Sequence, residues 1–211
     1  MSGTKLKKIV FICTGNTCRS PMAEFLFKKI LKKEKLRGFK VCSAGITAKK
    51  GDVMNPKSVQ TLEENGIEVG KFTSTPVTDK LLDDGFVFIC MTERHAEVLM
   101  DMRWEALRRS GEKNIQNNVF SFQELAGYDV PDPYGMDINA YRRVYELLEG
   151  GMYAIIEKLE LVSYATASSV KEAEGTGAKR GRPKKNTADV EEKEPKKRGR
   201  PKKAEQLQME I

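Results

Sequence analysis

The chain has 211 residues, 37 Lys+Arg against 30 Asp+Glu for a formal charge of +7, one histidine and four cysteines. No apolar stretch approaches the ~18 residues of a membrane span and no signal-peptide pattern is present, so the expectation is a protein of the reducing cytoplasm with no membrane partner. The single histidine, His95, and the lack of clustered Cys/His spacing leave no zinc-type site.

The apolar run Lys8 to Ile12 predicts the first strand, and a helix is predicted from Met22 to Lys35. Between them lies Cys13-Thr-Gly-Asn-Thr-Cys-Arg19-Ser20-Pro21, a Cys-x5-Arg loop from strand to helix. A strand that turns through Gly and Asn into a helix aims successive backbone N–H groups, and the positive end of the helix, at one small concavity. That concavity suits a tetrahedral anion. Cys13 sits at its base, where amide dipoles and Arg19 favour a thiolate nucleophile. Arg19 offers a planar fork for two phosphate oxygens, and Ser20 offers a hydroxyl to the thiolate as it leaves in a second step. Gly15 and Asn16 are residue types that tolerate the positive φ such a turn requires. The chemistry implied is hydrolysis of a phosphate ester or phosphoramidate.

Further strands are predicted at Phe39 to Ser43, Phe86 to Met91 and Val119 to Phe122. Helices are predicted at Lys57 to Asn65, Glu93 to Met102 and Ile138 to Leu161, with shorter turns around Asp79 to Leu82 and Ser121 to Ala126. Alternation of β and α predicts an α/β fold, a doubly wound parallel sheet of four strands. The last helix repeats Tyr141, Val144, Tyr145, Leu148, Met152, Ile155, Ile156 and Leu159 at spacings of three and four, a core-facing stripe. His95, in the third predicted helix, reads as structural. Cys42 and Cys90 follow β-branched or aromatic runs and read as core cysteines. The segment Val130-Pro131-Asp132-Pro133-Tyr134-Gly135 holds a carboxylate stiffened by proline on both sides, and Asp132 is the expected general acid and then general base.

These residues resemble the low-molecular-weight phosphatases, which carry the thiolate loop near the N-terminus and Asp-Pro-aromatic some 115 to 120 residues later. The resemblance spans roughly residues 6 to 162 and includes Ser43-Ala-Gly45, Asn55-Pro56 and Met91-Thr92. It implies the fold of that family and a two-step mechanism that needs neither a metal nor a cofactor. Cys13 would take the phosphoryl group with Asp132 as acid, and water would then hydrolyse the phosphocysteine with Asp132 as base. Cys13, Arg19 and Asp132 are the expected catalytic residues; Thr14, Gly15, Asn16, Thr17, Cys18, Ser20 and Tyr134 are expected to bind a phosphorylated protein substrate.

Thr17 addresses the substrate. Tyrosine-specific members of the family usually have Ile or Leu here, and protein-arginine phosphatases have Thr in a loop reading CTGNTCRSP. Threonine is small and polar, so it suits a guanidinium where a larger aliphatic group would suit a ring. Tyr134 is followed by Gly135 and Met136 in place of a second aromatic, which thins the wall for a phenol. Phosphoarginine is therefore the expected substrate, with phosphotyrosine the alternative. Cys18 is close enough to Cys13 in sequence for a reversible protective disulfide, or else is a small buried loop residue. Arsenate reductases share the loop, but Cys90 has no second cysteine after it, which argues against that activity.

Composition changes near Ser163, where aromatic and β-branched residues give way to Ala, Ser, Thr, Glu, Lys and Gly, so residues 1–163 are the expected enzyme domain and 164–211 a disordered tail. The tail holds 13 Lys+Arg and 8 Asp+Glu, leaving 24 and 22 in the rest, so the basic excess is concentrated in it. It contains the same seven residues twice, Lys179-Arg-Gly-Arg-Pro-Lys-Lys185 and Lys197-Arg-Gly-Arg-Pro-Lys-Lys203. The core Arg180-Gly181-Arg182-Pro183, repeated as Arg198-Gly199-Arg200-Pro201, resembles the AT-hook. Glycine admits close approach, proline holds the chain extended, the arginines seek the negative potential of a narrow minor groove, and the lysines neutralise phosphates. The acidic spacer of Asp189, Glu191, Glu192 and Glu194, with a reach of roughly 20 Å, would let two nearby A·T tracts be held at once. A·T-rich DNA is the expected partner and a nucleoid-associated location the corollary; a tail that contacts any polyanion, and a DNA-binding protein with an inert phosphatase-like module, are the alternatives.

Overall fold

The structure, a computed structural model, describes residues 7–82, 86–111 and 118–161. The tail of residues 164–211, with both hook repeats, lies outside the described residues, as does the expectation that it is disordered. In chain order the elements are β1 (Lys7–Cys13), α1 (Arg19–Lys33), β2 (Phe39–Gly45), α2 (Pro56–Glu64), β3 (Phe86–Cys90), α3 (Glu93–Ser110), β4 (Val119–Ser121), α4 (Phe122–Ala126) and α5 (Ile138–Lys158). The four strands pair in parallel in the order β2-β1-β3-β4. The sheet is the expected doubly wound one.

The strand sequences explain the layers. Parallel strands need helices on both faces, so β1 is apolar on both: Ile9 and Phe11 pack with α1, α2 and α5, and Val10 and Ile12 pack on the other side with Phe88, Cys90 and Leu99 of α3. Each of these β1 side chains is fully buried, a gain of about 1.5–3 kcal/mol apiece for groups of this size. The stripe on α5 is buried from Tyr141 to Leu159 as its spacing requires. Cys90 is fully buried, and Cys42 is half-buried at the sheet face.

Several helix boundaries differ from expectation: α1 ends at Lys33 rather than Lys35, α2 runs Pro56–Glu64 rather than Lys57–Asn65, and α5 ends at Lys158 rather than Leu161. α1 begins at Arg19 rather than Met22, because Pro21 lacks an N–H only where the first turn has no carbonyl to receive it, so proline fits there without breaking the helix. α3 runs to Ser110, beyond Met102, because Arg103, Ala106 and Leu107 continue its buried face; Gly111 then ends it at φ 78°. Side chains cap the other long helices: Asn55 accepts from Lys57 N at 2.9 Å, Thr92 from His95 N at 3.2 Å and Asp137 from Ala140 N at 3.0 Å. α1 has no side-chain cap. Among the described residues no helix is long and apolar enough to cross a membrane.

Candidate active site

The sheet order reverses at β1, which lies between β2 and β3, and the loop 13–18 leaves its carboxyl end at that switch point, where ligands of open α/β sheets bind. With no side chain capping α1, its first N–H groups are left for a ligand at the loop.

Asn16 organises the turn. It is fully buried at φ 53°, an αL conformation that Asn adopts more readily than most residues. Its Oδ1 accepts from Thr75 N at 2.8 Å, and its Nδ2 donates to Ser20 Oγ and Ser43 Oγ, each at 2.9 Å. Ser43 Oγ donates onward to Glu24 Oε2 at 2.6 Å. The polar capacity of a buried amide is thus nearly spent on holding the loop. Gly15 is not among the residues of positive φ, so the expectation for it fails; a Cβ there would meet only Thr17 Oγ1 at 3.7 Å. The glycine the loop does require is Gly45, where a Cβ would lie 2.6 Å from Thr14 O and 2.8 Å from Asn16 N. β2 must pass the loop backbone at that distance.

Cys13 Sγ is buried, 3.0 Å from Ser20 Oγ, and accepts from Asn16 N at 3.3 Å. Ser20 Oγ also donates to Ala44 O at 3.3 Å, so its one proton is shared between that carbonyl and the sulfur. Arg19 reaches across: NH2 donates to Asp132 Oδ2 at 2.6 Å and to Thr14 Oγ1 at 3.4 Å, and NH1 donates to Val130 O at 3.3 Å. Its side chain is 6% exposed and that of Asp132 49%, so the pair joins a buried cation to a carboxylate at the rim. The Asp132 loop is fixed from behind by Val130 N, which donates to Met91 O at the end of β3 at 2.9 Å, and Asp132 Oδ1 accepts from Tyr134 N at 3.2 Å. Cys13, Thr14, Gly15, Thr17, Cys18, Arg19, Asp132 and Tyr134 line one cavity of about 200 Å³. Every loop residue named from sequence is therefore in this site, Asn16 and Ser20 beneath it. Tyr134 stands at the mouth, 70% exposed.

Cys18 Sγ lies 3.6 Å from the buried Tyr141 hydroxyl and 3.7 Å from Thr17 Oγ1, and both Cys13 and Cys18 are free thiols. Burial raises the Cys18 thiol, and hydrogen bonds from Tyr141 and Thr17 only partly oppose this. Burial also pushes the Cys90 thiol up strongly, which makes it inert.

One site neighbour was missed. His95 Nε2 is 2.9 Å from Thr14 Oγ1, and its Nδ1 is 2.8 Å from Thr92 Oγ1. Burial first, and then Arg19, push its pKa down to about 4, so the ring is neutral at physiological pH. The signal available was Thr92-x-x-His95 at the end of β3: an N-cap and its third residue face the neighbouring strand's loop, provided that β3 pairs with β1.

The family described as low molecular weight phosphotyrosine protein phosphatase matches residues 8–163, and the AT hook motif matches residues 179–189 and 195–207. A protein-arginine-phosphatase of Bacillus subtilis (strain 168) is 33% identical over 155 residues, covering 72% of this chain and 96% of its own. A probable low molecular weight protein-tyrosine-phosphatase, EpsP of Ralstonia nicotianae, is 27% identical over 154 residues, covering 73% and 97%. Among solved structures, a YwlE mutant from Bacillus subtilis superposes with a TM-score of 0.64 at 32% identity over 73% of this chain and 99% of that one. A YwlE arginine phosphatase with a cysteine-to-serine mutation and a phosphorylated active site serine superposes at 0.63, with 32% identity over 72% and 95%.

Proposed function

Since the chain belongs to the low molecular weight phosphotyrosine protein phosphatase family and is a protein phosphatase, we propose that it removes phosphate from protein phosphoarginine through a phosphocysteine intermediate. The observation that carries this reading is the geometry around Cys13, whose sulfur is held by Ser20 Oγ at 3.0 Å and Asn16 N at 3.3 Å in the cavity shared with Arg19 and Asp132.

In the first step the Cys13 thiolate forms a bond to phosphorus as the P–N bond of phosphoarginine breaks, and protonated Asp132 gives its proton to the departing guanidine nitrogen. In the second, Asp132 takes a proton from water as the oxygen attacks phosphorus, the S–P bond breaks, and Ser20 stabilises the returning thiolate. Loop amides and Arg19 hold the equatorial oxygens, where charge develops. The phosphoryl group and Asp132 compete for Arg19, so binding of the dianion also frees the carboxyl for its role as acid.

Thr17 at the cavity wall, and the likeness to arginine phosphatases at 32–33% identity, support phosphoarginine. Tyr134 at the mouth supports a second reading, phosphotyrosine, since an exposed aromatic can stack on a phenol. The hook repeats support a tail, beginning after residue 163, that tethers the enzyme to A·T-rich DNA through Arg180, Gly181, Arg182 and Pro183 and through Arg198, Gly199, Arg200 and Pro201, in the cytoplasm at the nucleoid. Phosphate release from a phosphoarginine and a phosphotyrosine peptide, with Cys13→Ser as control, tests the reading. Faster phosphoarginine turnover is expected. Faster phosphotyrosine turnover would give the second reading, and activity in the Cys13→Ser protein would overturn the mechanism.

A further inference from the structure

We propose that His95 is a positioning residue that acts through Thr14, turning the Thr14 hydroxyl into a donor aimed at the substrate's phosphoryl group; the inference rests on the phosphatase reading. Thr92 Oγ1 already accepts the backbone N–H of His95 at 3.2 Å as the cap of α3, and it lies 2.8 Å from His95 Nδ1. In the tautomer proposed, Thr92 uses its hydrogen on Nδ1, the acceptor nitrogen of the ring, and the ring's own hydrogen sits on Nε2. That hydrogen goes to Thr14 Oγ1 at 2.9 Å. Arg19 NH2 donates to the same oxygen at 3.4 Å. A hydroxyl oxygen has two lone pairs, and both are now filled, so the one hydrogen of Thr14 cannot turn back toward α3 or Arg19. The remaining tetrahedral direction leads away from both donors, and Thr14 is an exposed residue lining the cavity above Cys13.

The charged groups facing the ring are Arg19, Asp132 and Asp129. None of them gives Nε2 a partner other than Thr14. A phosphoryl oxygen in the cavity would receive a neutral hydroxyl donor in addition to the loop amides and Arg19, and a donor already oriented needs no reorganisation when charge develops. Thr14→Val keeps the shape and removes the hydrogen. His95→Phe keeps a flat ring and removes the donor that orients the hydroxyl.

The test is a double-mutant cycle on the full chain, with kcat/KM for a phosphoarginine peptide and inorganic phosphate affinity, the latter measured by calorimetry in the Cys13→Ser background. Thr14→Val should lower kcat/KM about ten-fold, the scale of one hydrogen bond to a charged group. His95→Phe should lower it several-fold, and the double variant no further than Thr14→Val alone. Thr14→Ser and His95→Gln, which retain a hydroxyl and an amide donor, should recover most of the loss. Phosphate affinity should follow the same order. Effects that multiply in the double variant, or full activity in His95→Phe, would overturn the proposal. If His95→Phe fails to fold, judged by its thermal transition, the comparison of Thr14→Val with Thr14→Ser decides: equal activity in the two sinks the idea. A parent protein that turns over neither phosphopeptide defeats the phosphatase reading, and the phosphate-affinity series still judges the hydroxyl.

Discussion

Gly45→Ala tests whether the loop is held rigidly enough for its geometry to matter. A Cβ at this position would sit 2.6 Å from Thr14 O, 2.8 Å from Asn16 N and 2.9 Å from Ala48 Cβ. Two of these are backbone atoms of the loop itself, and they are restrained by Ile46 N donating to Cys13 O at 3.0 Å and Thr47 N to Thr14 O at 2.9 Å. Restoring an ordinary contact of roughly 3.4 Å requires the loop and β2 to part by most of an ångström. Overpacking of this kind costs about 1–3 kcal/mol, a fall in Tm of roughly 2–12 °C for a domain of this size. The loss of function should be larger, because a misplacement near 1 Å costs on the order of 10²-fold in rate where reacting groups must align. Steady-state kinetics with a phosphoarginine peptide, alongside a thermal melt, measures both. Parental kcat/KM and parental Tm together would refute the claim that the loop is locked by its neighbour.

Asp132→Asn should lower kcat on either phosphopeptide by 10²- to 10⁴-fold, the range for loss of a positioned acid, and a loss under three-fold would remove Asp132 from that role. The adjacent glycines of α5 should diverge: Gly150→Ala meets only Tyr128 Oη at 3.5 Å and should gain about 0.5–1 kcal/mol, whereas Gly151→Ala meets the Phe122 ring at 2.4–2.5 Å and should lose about 1–3 kcal/mol, both read from denaturant midpoints. His95 carries a pH signature. Its folded pKa lies near 4, below an unfolded value of about 6.5, so the unfolded chain binds the proton more tightly and the linked stability is complete above pH ~6.5 and drains as pH falls toward 4. His95→Phe should flatten that part of the stability-pH curve; an unchanged slope would contradict the burial argument. Arg182→Ala with Arg200→Ala should weaken binding to an A·T-rich duplex and reduce its salt dependence while leaving peptide turnover as it was, measured by fluorescence anisotropy and phosphate release.

Local sequence was enough to define the loop chemistry, because Cys13 to Ser20 are contiguous and their spacing alone puts a sulfur, a guanidinium and a hydroxyl at one strand-to-helix turn. The strand and helix order, and with it the position of the loop at a sheet switch point, followed from alternation and from the α5 stripe. Boundaries set by continuing burial, such as the end of α3 at Ser110, were less legible, since Arg103 reads as surface until its side chain is found donating to Leu82 O at 3.3 Å.

What only tertiary structure decided is which distant residues meet. Asp132 reaches Arg19 at 2.6 Å because Val130 is tied to the end of β3, and β3 in turn is the neighbour of β1. Gly45 is required not for its own φ but because β2 passes the loop backbone too closely for a Cβ. His95 stood alone in the sequence and meets Thr14 only through the pairing of two strands nearly eighty residues apart. Sequence fixes the chemistry each side chain can offer, and contacts across the chain determine which of those offers are used, because a hydrogen bond depends on position to a few tenths of an ångström and pattern alone carries no such information.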